Sequence, residues 1–266
     1  MFLIGLPAVL ILLIIMSWWL AGRAMQPIHQ SYQLLQQFTA DAAHELRTPL
    51  AAIRATVEST LMISKITDIE ARETLQTIGR QNGRLSNLVA DLLMLCRMER
   101  QLSLTNSASI TKERVSLVNL TQDVAEDFAS LAIKSQIKLV TKILGSEPLI
   151  INGDYDQLYR MISNLVANAL KYTPAEGQVR LILARHVKYA LLKIEDTGIG
   201  IPKEDLNKIF DRFYRVNSDR SRHTGGSGLG LSIAQAIAQA HQGTIQVESQ
   251  LGQGSKFTVS LPIKSK

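Results

Sequence analysis

The chain has 266 residues, enough for one large or two small domains, and its 46% hydrophobic and 20% charged content is that of a folded protein. Cys96 is the only cysteine, which excludes an intrachain disulfide and a cysteine-based metal cluster, and we expect its thiol to lie in a core. The net charge of +6 admits nucleic acid or anionic lipid, but the basic residues are scattered and match no nucleic-acid-binding motif. We therefore expect no nucleic-acid partner.

The first segment, residues 1–22, contains no charged side chain and is long enough to cross a bilayer as one helix. Trp18 and Trp19 near its end are typical of a membrane interface, and Arg23 is the first positive charge. A cleaved signal peptide is the alternative, but it would need a basic start. We predict a single-pass anchor in the inner or plasma membrane, a juxtamembrane linker at 23–36 and a cytoplasmic catalytic part.

Residues 37–100 have the pattern of two apolar-striped helices separated by a break near residues 64–68. The second helix carries an a/d seam that steps by three and four, at Leu75, Ile78, Asn82, Leu85, Val89, Leu92 and Cys96. A hairpin cannot bury two such stripes alone. We therefore predict an all-α helical hairpin that forms a homodimeric four-helix bundle.

A polar stretch at 101–112 is predicted to be a linker to a second domain at 113–266. There we expect helices at 117–134, 154–171 and 228–240, with Asp154 capping the second. Strands are predicted at 137–143, 149–151, 178–184, 189–195, 244–249 and 255–261. This mixture indicates an α+β sandwich with helices on one face of a mixed sheet.

His44 lies off the apolar stripe of the first helix and should face solvent, with Thr48 one turn away on the same face. Pro49 should bend the helix beside it. A neutral imidazole is an available nucleophile near pH 7, and the Glu45 carboxylate can accept its second ring proton. An ordinary exposed histidine beside a tolerated proline is the plain alternative.

Three more groups of residues in the second domain have the chemistry of a nucleotide site. Asn164, Asn168 and Lys171 share one face of a predicted helix and offer amide oxygens for Mg²⁺ and a cation for phosphate. Asp196 begins a tight turn of sequence Asp-Thr-Gly-Ile-Gly after a strand. The string 225–231 is Gly-rich and opens a helix, whose N-terminal amides can bind phosphate. Taken singly, a solvated polar face and a flexible turn remain alternatives, and no Walker-type phosphate loop occurs.

The heptapeptide His44–Leu50, His-Glu-Leu-Arg-Thr-Pro-Leu, closely resembles the H-box of sensor histidine kinases. The later motifs, Asn-x-x-x-Asn-Ala-x-Lys-Tyr-Thr, Asp-x-Gly-x-Gly, Ile-Phe-Asp-Arg-Phe-Tyr-Arg and Gly-x-Gly-Leu-Gly-Leu, resemble in order the N, G1, F and G2 boxes of the Bergerat-type ATP-binding domain. The resemblance covers roughly residues 37–262. The family usually has an input domain, for which we expect no room in this sequence; a truncated or split kinase, and one that senses through the membrane or through another protein, are the alternatives.

The resemblance implies a protein-histidine kinase of two-component signal transduction that uses ATP and Mg²⁺. His44 would be the phosphoryl acceptor, Glu45 its base, and Thr48 would position water for dephosphorylating the partner, a response regulator. Asn168 would ligate Mg²⁺ with help from Asn164. Further roles implied for nucleotide and phosphate binding fall on Lys171, Tyr172, Asp196, Gly198, Gly200, Phe210, Phe213, Arg215, Gly226, Gly228, Leu229 and Gly230, with residues 211–228 as the ATP lid.

One residue type bears on the reaction. Related ATP-hydrolysing proteins carry a glutamate that activates water at the position of Asn164, and an amide cannot act as a base. We therefore expect phosphoryl transfer to His44 to dominate over hydrolysis. A regulator that acts mainly as phosphatase or scaffold, and a non-enzymatic dimerisation module, are the alternatives that the residues leave open.

Overall fold

The structure is a computed structural model that describes residues 2–63, 66–103, 113–145, 147–216 and 227–263. The chain forms two compact units, residues 1–85 and 86–266. Its elements in chain order are α1 Phe2–Leu61, α2 Asp68–Ser103, β1 Glu113–Ser116, α3 Leu117–Lys134, β2 Lys138–Leu144, β3 Ile150–Gly153, α4 Tyr155–Tyr172, β4 Gln178–His186, β5 Tyr189–Asp196, α5 Gly230–Ala240, β6 Thr244–Gln250 and β7 Gly254–Pro262.

The helical hairpin is confirmed, with its break where the sequence predicts it. α1 ends at Leu61 and α2 starts at Asp68. A capping box starts α2, because the Glu70 carboxylate accepts the Thr67 backbone N–H at 2.9 Å while Thr67 Oγ1 accepts the Glu70 N–H at 3.3 Å. The hydrogen bonds from Thr67, first the backbone one, lower the pKa of Glu70. α1 is continuous through 23–36, the segment predicted as a linker.

The predicted seam of α2 is largely exposed within one chain. Leu75 is 68% exposed and Val89 43% exposed, whereas Leu88, Leu95 and Met98 are buried. The buried residues lie on the helix face next to the seam, so one stripe of α2 is covered within the chain while the seam is left exposed. Cys96 is exposed, which makes the expectation of a core thiol wrong: it lies on the seam side of the helix.

The second domain is built on a five-stranded sheet of order β2-β4-β5-β7-β6, in which β2 and β4 pair in parallel and the other neighbours pair antiparallel. Burial alternates along β4 and β5, with Val179, Leu181 and Leu183 facing the core. The helices α3, α4 and α5 supply the apolar second layer. This is the predicted α+β sandwich with helices on one face.

The ends of the elements follow local chemistry. Asp154 caps α4 as predicted, because its carboxylate accepts the Gln157 N–H at 3.0 Å. Ser116 caps α3 in the same way. The strand β1 was not predicted. It has only four residues and exists through its antiparallel pairing with β3, which local sequence does not display.

The predicted anchor at 1–22 falls mainly on residues whose side chains lie outside the described part of the chain. Within that part, no helix combines the length and hydropathy needed to span a membrane. The predicted linker at 101–112 likewise lies almost wholly outside the described residues, with α2 reaching Ser103.

Candidate functional site

The helix α4 presents a polar stripe beside its apolar face. Leu158, Ile162 and Leu165 are fully buried against the sheet layer. The amides of Asn164 and Asn168 lie on the neighbouring stripe and line a pocket of about 360 Å³. Lys171 and Tyr172 line the same pocket, and the Lys171 ammonium lies 5.0 Å from the centre of the Tyr172 ring. The structure thus brings the predicted N-box residues together.

At the end of β5, the Asp196 side chain is held by the backbone. Its Oδ1 accepts the Gly198 N–H at 2.8 Å and the Ser255 N–H at 3.2 Å. Burial raises the pKa of Asp196, and the two backbone N–H groups oppose that rise. Both hydrogen bonds use Oδ1, which leaves Oδ2 without a hydrogen bond to the described residues. Asp196 is a half-buried acceptor on the pocket wall.

Gly198 fixes this turn against α4. A Cβ at residue 198 would overlap the backbone carbonyl oxygen of Tyr172, so only glycine permits the approach. Gly198 itself does not line the pocket, whereas Gly200 does. Its place is structural, because it brings the Asp196 turn next to the C-terminal end of α4.

The stems of the predicted lid are joined by backbone contacts. The Phe213 N–H donates to the Gly228 carbonyl at 3.0 Å, and a Cβ on Gly228, whose φ is +73°, would lie 2.7 Å from the Phe213 carbonyl carbon. Arg215 lines the pocket, while Phe210 and Phe213 do not. Residues 217–226, including the predicted Gly226 and most of the lid, lie outside the described residues.

The N-terminal end of α5 closes the opposite wall. Gly230 lies on this wall, and a Cβ added to it would lie 3.6 Å from Asn164 Oδ1. Leu229 is fully buried and anchors the turn rather than lining the pocket. The Asn164 Nδ2 atom is buried without a hydrogen-bond partner among the described residues, which leaves an unmet donor beside the pocket.

Several lining residues were missed by sequence reasoning. Tyr214 is the residue after Phe213 and lines the pocket. Its hydroxyl donates a hydrogen bond to Asp205 at 2.6 Å, and this bond raises the pKa of Tyr214 to about 12. The repeated aromatic residues around position 214 were a signal for it. Others lie inside the quoted motifs but were given no role: Ala167, Ala169, Ile199, Ile209, Ser227 and Leu231. No local signal marks the rest, which reach the pocket through tertiary folding: Asp91, Ile201, Val216, Ser255 and Phe257.

The predicted phosphoacceptor residues lie on α1 in the other unit. His44 and Thr48 are exposed and Glu45 is half-buried. Thr48 Oγ1 donates to the His44 carbonyl at 3.3 Å, one turn back along the helix. The solvent-facing orientation of His44 agrees with its position off the apolar stripe.

Comparison with known proteins places both regions. Residues 34–101 match the His Kinase A (phospho-acceptor) domain, and residues 153–265 match the histidine kinase-, DNA gyrase B- and HSP90-like ATPase. The chain is 48% identical to the sensor histidine kinase RppB of a Synechocystis species over 263 residues, 98% of this chain and 56% of RppB. It belongs to the sensor histidine kinase family. The chain spans about half the length of the curated kinases that it matches.

Solved histidine kinases share the fold. AdeS of Acinetobacter baumannii superposes with a TM-score of 0.66 at 26% identity, covering 84% of this chain and 98% of AdeS. Full-length ShkA in complex with AMPPNP gives a TM-score of 0.63 at 25% identity, covering 88% of this chain and 46% of ShkA.

The pocket of this kinase-family chain fits ATP. Asp196 offers an acceptor, Lys171 a cation and Asn164 an unmet donor, in a volume suited to a nucleotide. For Mg²⁺, the described residues contain no cluster of three or more His, Cys, Asp or Glu side chains. A magnesium ion would therefore depend on amide oxygens, water and the phosphates themselves, since Mg²⁺ in nucleotide sites keeps several waters and binds the substrate phosphates.

Proposed function

We propose that this chain is the catalytic part of a sensor histidine kinase that transfers the terminal phosphoryl group of ATP to His44 and then to an aspartate of a response regulator. The observation that supports it is an exposed imidazole in the phospho-acceptor region of a chain whose ATPase region holds a pocket with Asn168, Lys171 and Asp196 in its wall.

In the first step, an imidazole nitrogen of His44 forms a bond to the γ-phosphorus as the bond to the β,γ-bridging oxygen breaks, and ADP leaves with that electron pair. Glu45 accepts the ring proton. Transfer depends mainly on positioning and charge neutralisation, for which Lys171 and Arg215 supply fixed cations. Mg²⁺, when bound through Asn168 and Asn164, would neutralise phosphate charge. In the second step, an aspartate oxygen forms a bond to phosphorus as the bond between phosphorus and the ring nitrogen breaks, and a proton returned from Glu45 leaves the His44 ring neutral.

Thr48 gives the same region a second capacity. Its hydroxyl lies one turn from His44 and is held by the bond to the His44 carbonyl, so its oxygen lone pairs can orient a water molecule. We propose that this residue assists dephosphorylation of the response regulator. Comparing the labelling rate with the rate of regulator dephosphorylation in Thr48→Ala separates the two activities, because only the second should fall.

We also propose homodimerisation through the exposed seam of α2 and membrane attachment through residues 1–22. Leu75 and Val89 leave an apolar strip uncovered within one chain. At the other end, Trp18 is 84% exposed, and the Arg23 guanidinium lies 5.0 Å from the Trp19 ring centre, an arrangement suited to a lipid headgroup region. Fractionation of the full chain against residues 24–266 tests the attachment.

Incubation with γ-labelled ATP tests the main proposal. Wild-type protein should acquire an acid-labile, base-stable label, as a phosphorus–nitrogen bond requires. His44→Gln should abolish this label while nucleotide binding stays within about twofold of wild type, since its pocket is in the other unit. Equal acid-labile labelling of His44→Gln would remove His44 as acceptor.

A further inference from the structure

An ion pair joins α2 to the nucleotide-binding helix α4. The Arg160 guanidinium donates to Asp91 Oδ1, and the two side chains are 34% and 18% exposed. The residues are 69 positions apart in sequence. Both belong to the unit formed by residues 86–266, so the C-terminal part of α2 is held on the ATP-binding domain in this conformation.

Asp91 lies on the buried face of α2. Leu88, Leu95 and Met98 are three, four and seven residues away and are 5%, 1% and 2% exposed. Burial raises the pKa of the Asp91 carboxyl, and the Arg160 guanidinium opposes that rise. A carboxylate on such a face is costly unless paired, which makes Arg160 its required partner.

The same carboxylate forms part of the nucleotide pocket wall, while Arg160 stands outside the lining residues. Arg160 is on the same stripe of α4 as Asn164, Asn168 and Lys171, at i, i+4, i+8 and i+11. The stripe runs from the Asp196 end of the pocket toward the N-terminus of α4. Arg160 is therefore one turn, about 6 Å, beyond Asn164.

This order along α4 places the charges of Arg160 and Asp91 at the end of the pocket where the phosphates of a bound nucleotide would lie. Gly198 seats the Asp196 turn beside Tyr172, so a base that binds Asp196 lies at the C-terminal end of α4. The N-terminus of α5 is beside Asn164, and its N–H groups suit phosphate. A chain of phosphates directed along the stripe ends near Asp91, where one carboxylate and one phosphate would repel each other.

We propose that Arg160 is a binding residue for the terminal phosphate of ATP, and that Asp91 occupies it in the nucleotide-free state. Phosphate and carboxylate compete for one guanidinium, so binding of a triphosphate releases α2 from α4, whereas a diphosphate is too short to do so. This inference rests on the proposed function. It adds a cation outside the recognised motifs and a link between nucleotide length and the position of the hairpin helix.

The test is equilibrium binding of Mg·ATP and Mg·ADP to the full chain. Arg160→Gln should weaken ATP binding about tenfold, because a charge-assisted hydrogen bond is lost. Asp91→Asn should strengthen ATP binding about fivefold, because the competing charge is removed. ADP affinity should change by less than about twofold in both variants. The matched control is Arg180→Gln, which breaks the Arg180–Glu195 pair on the sheet and should change neither affinity.

A second readout is amide hydrogen exchange in the C-terminal part of α2, which the Asp91–Arg160 pair holds on the ATP-binding domain. Exchange there should rise with ATP but not with ADP, and the response should vanish in Asp91→Asn, whose link is already broken. Equal effects on ATP and ADP, or a loss of affinity in both variants, would reduce the pair to a structural contact and overturn the inference. Failure of wild-type protein to bind ATP would instead refute the proposed function.

Discussion

Replacement of Asp196 by asparagine separates the binding role of this side chain from its cost to the fold. In the wild type, Oδ1 accepts hydrogen bonds from the Gly198 and Ser255 N–H groups. An asparagine must keep its oxygen toward those same donors, so its NH₂ group faces the pocket. An exocyclic amine of adenine would then meet a donor instead of an acceptor.

The expected loss of affinity follows from that exchange. A hydrogen bond to a charged group contributes about 1.5–3 kcal/mol, so ATP binding to Asp196→Asn should weaken about 10- to 150-fold. Calorimetric titration with Mg·ATP measures it. Asp156→Asn, an exposed change in the first turn of α4, is the control and should bind as wild type does.

The same variant should be more stable than the wild type at neutral pH. Burial raises the pKa of Asp196 above its ordinary value of 3.8, so the charged form is disfavoured in the folded state. Relative to the variant, the wild type loses stability as the pH rises through the raised folded-state pKa. The melting temperature of Asp196→Asn should therefore exceed that of the wild type by a constant amount above the raised pKa, and this difference should vanish below pH 3.8. ATP affinity within twofold of wild type, or a lower melting temperature at pH 7, would refute this reasoning.

Three further changes test the pocket. Gly198→Ala should destabilise the domain by about 1–3 kcal/mol in denaturant unfolding, because its Cβ overlaps the Tyr172 carbonyl, and an unchanged midpoint would contradict that overlap. Tyr214→Phe should lower the denaturant midpoint of unfolding by deleting the hydrogen bond to Asp205, and an unchanged midpoint would show that the bond contributes nothing. Asn168→Asp should weaken Mg·ATP use by adding a negative charge beside the phosphates, and an unchanged dependence on Mg²⁺ concentration would remove the metal role of Asn168.

Much of this fold could be predicted because its elements obey local rules. The helix α3 has the predicted bounds, 117–134, and α4 begins after its predicted cap, Asp154. Apolar periodicity and capping chemistry both act within a few residues, which a sequence displays directly. The strand β1 was missed because its stability comes from pairing with β3, across α3 and β2 in the chain.

In the candidate site, too, the residues that could be predicted are those marked by a local sequence pattern. Asn164, Asn168 and Asp196 were found because each belongs to a motif whose spacing matches one turn or one helix face. Cys96 was expected in a core but is exposed within one chain, because a seam in sequence does not say which stripe one chain buries. α2 buries the stripe of Leu95, leaving the seam of Cys96 outside.

The pair of Asp91 and Arg160 shows what such motifs leave out. Arg160 precedes Asn164 by one turn, so its face of α4 was predictable, but its carboxylate partner comes from a helix 69 residues earlier. Asp91 interrupts an otherwise apolar buried stripe, and a charge at such a position costs stability even when it is paired. An apolar residue of similar volume at position 91 would pack as well or better, so stability alone does not account for the pair. If the pair serves ATP binding as proposed, Asp91→Leu with Arg160→Leu should leave the melting temperature equal or higher, while selectivity for ATP over ADP is lost.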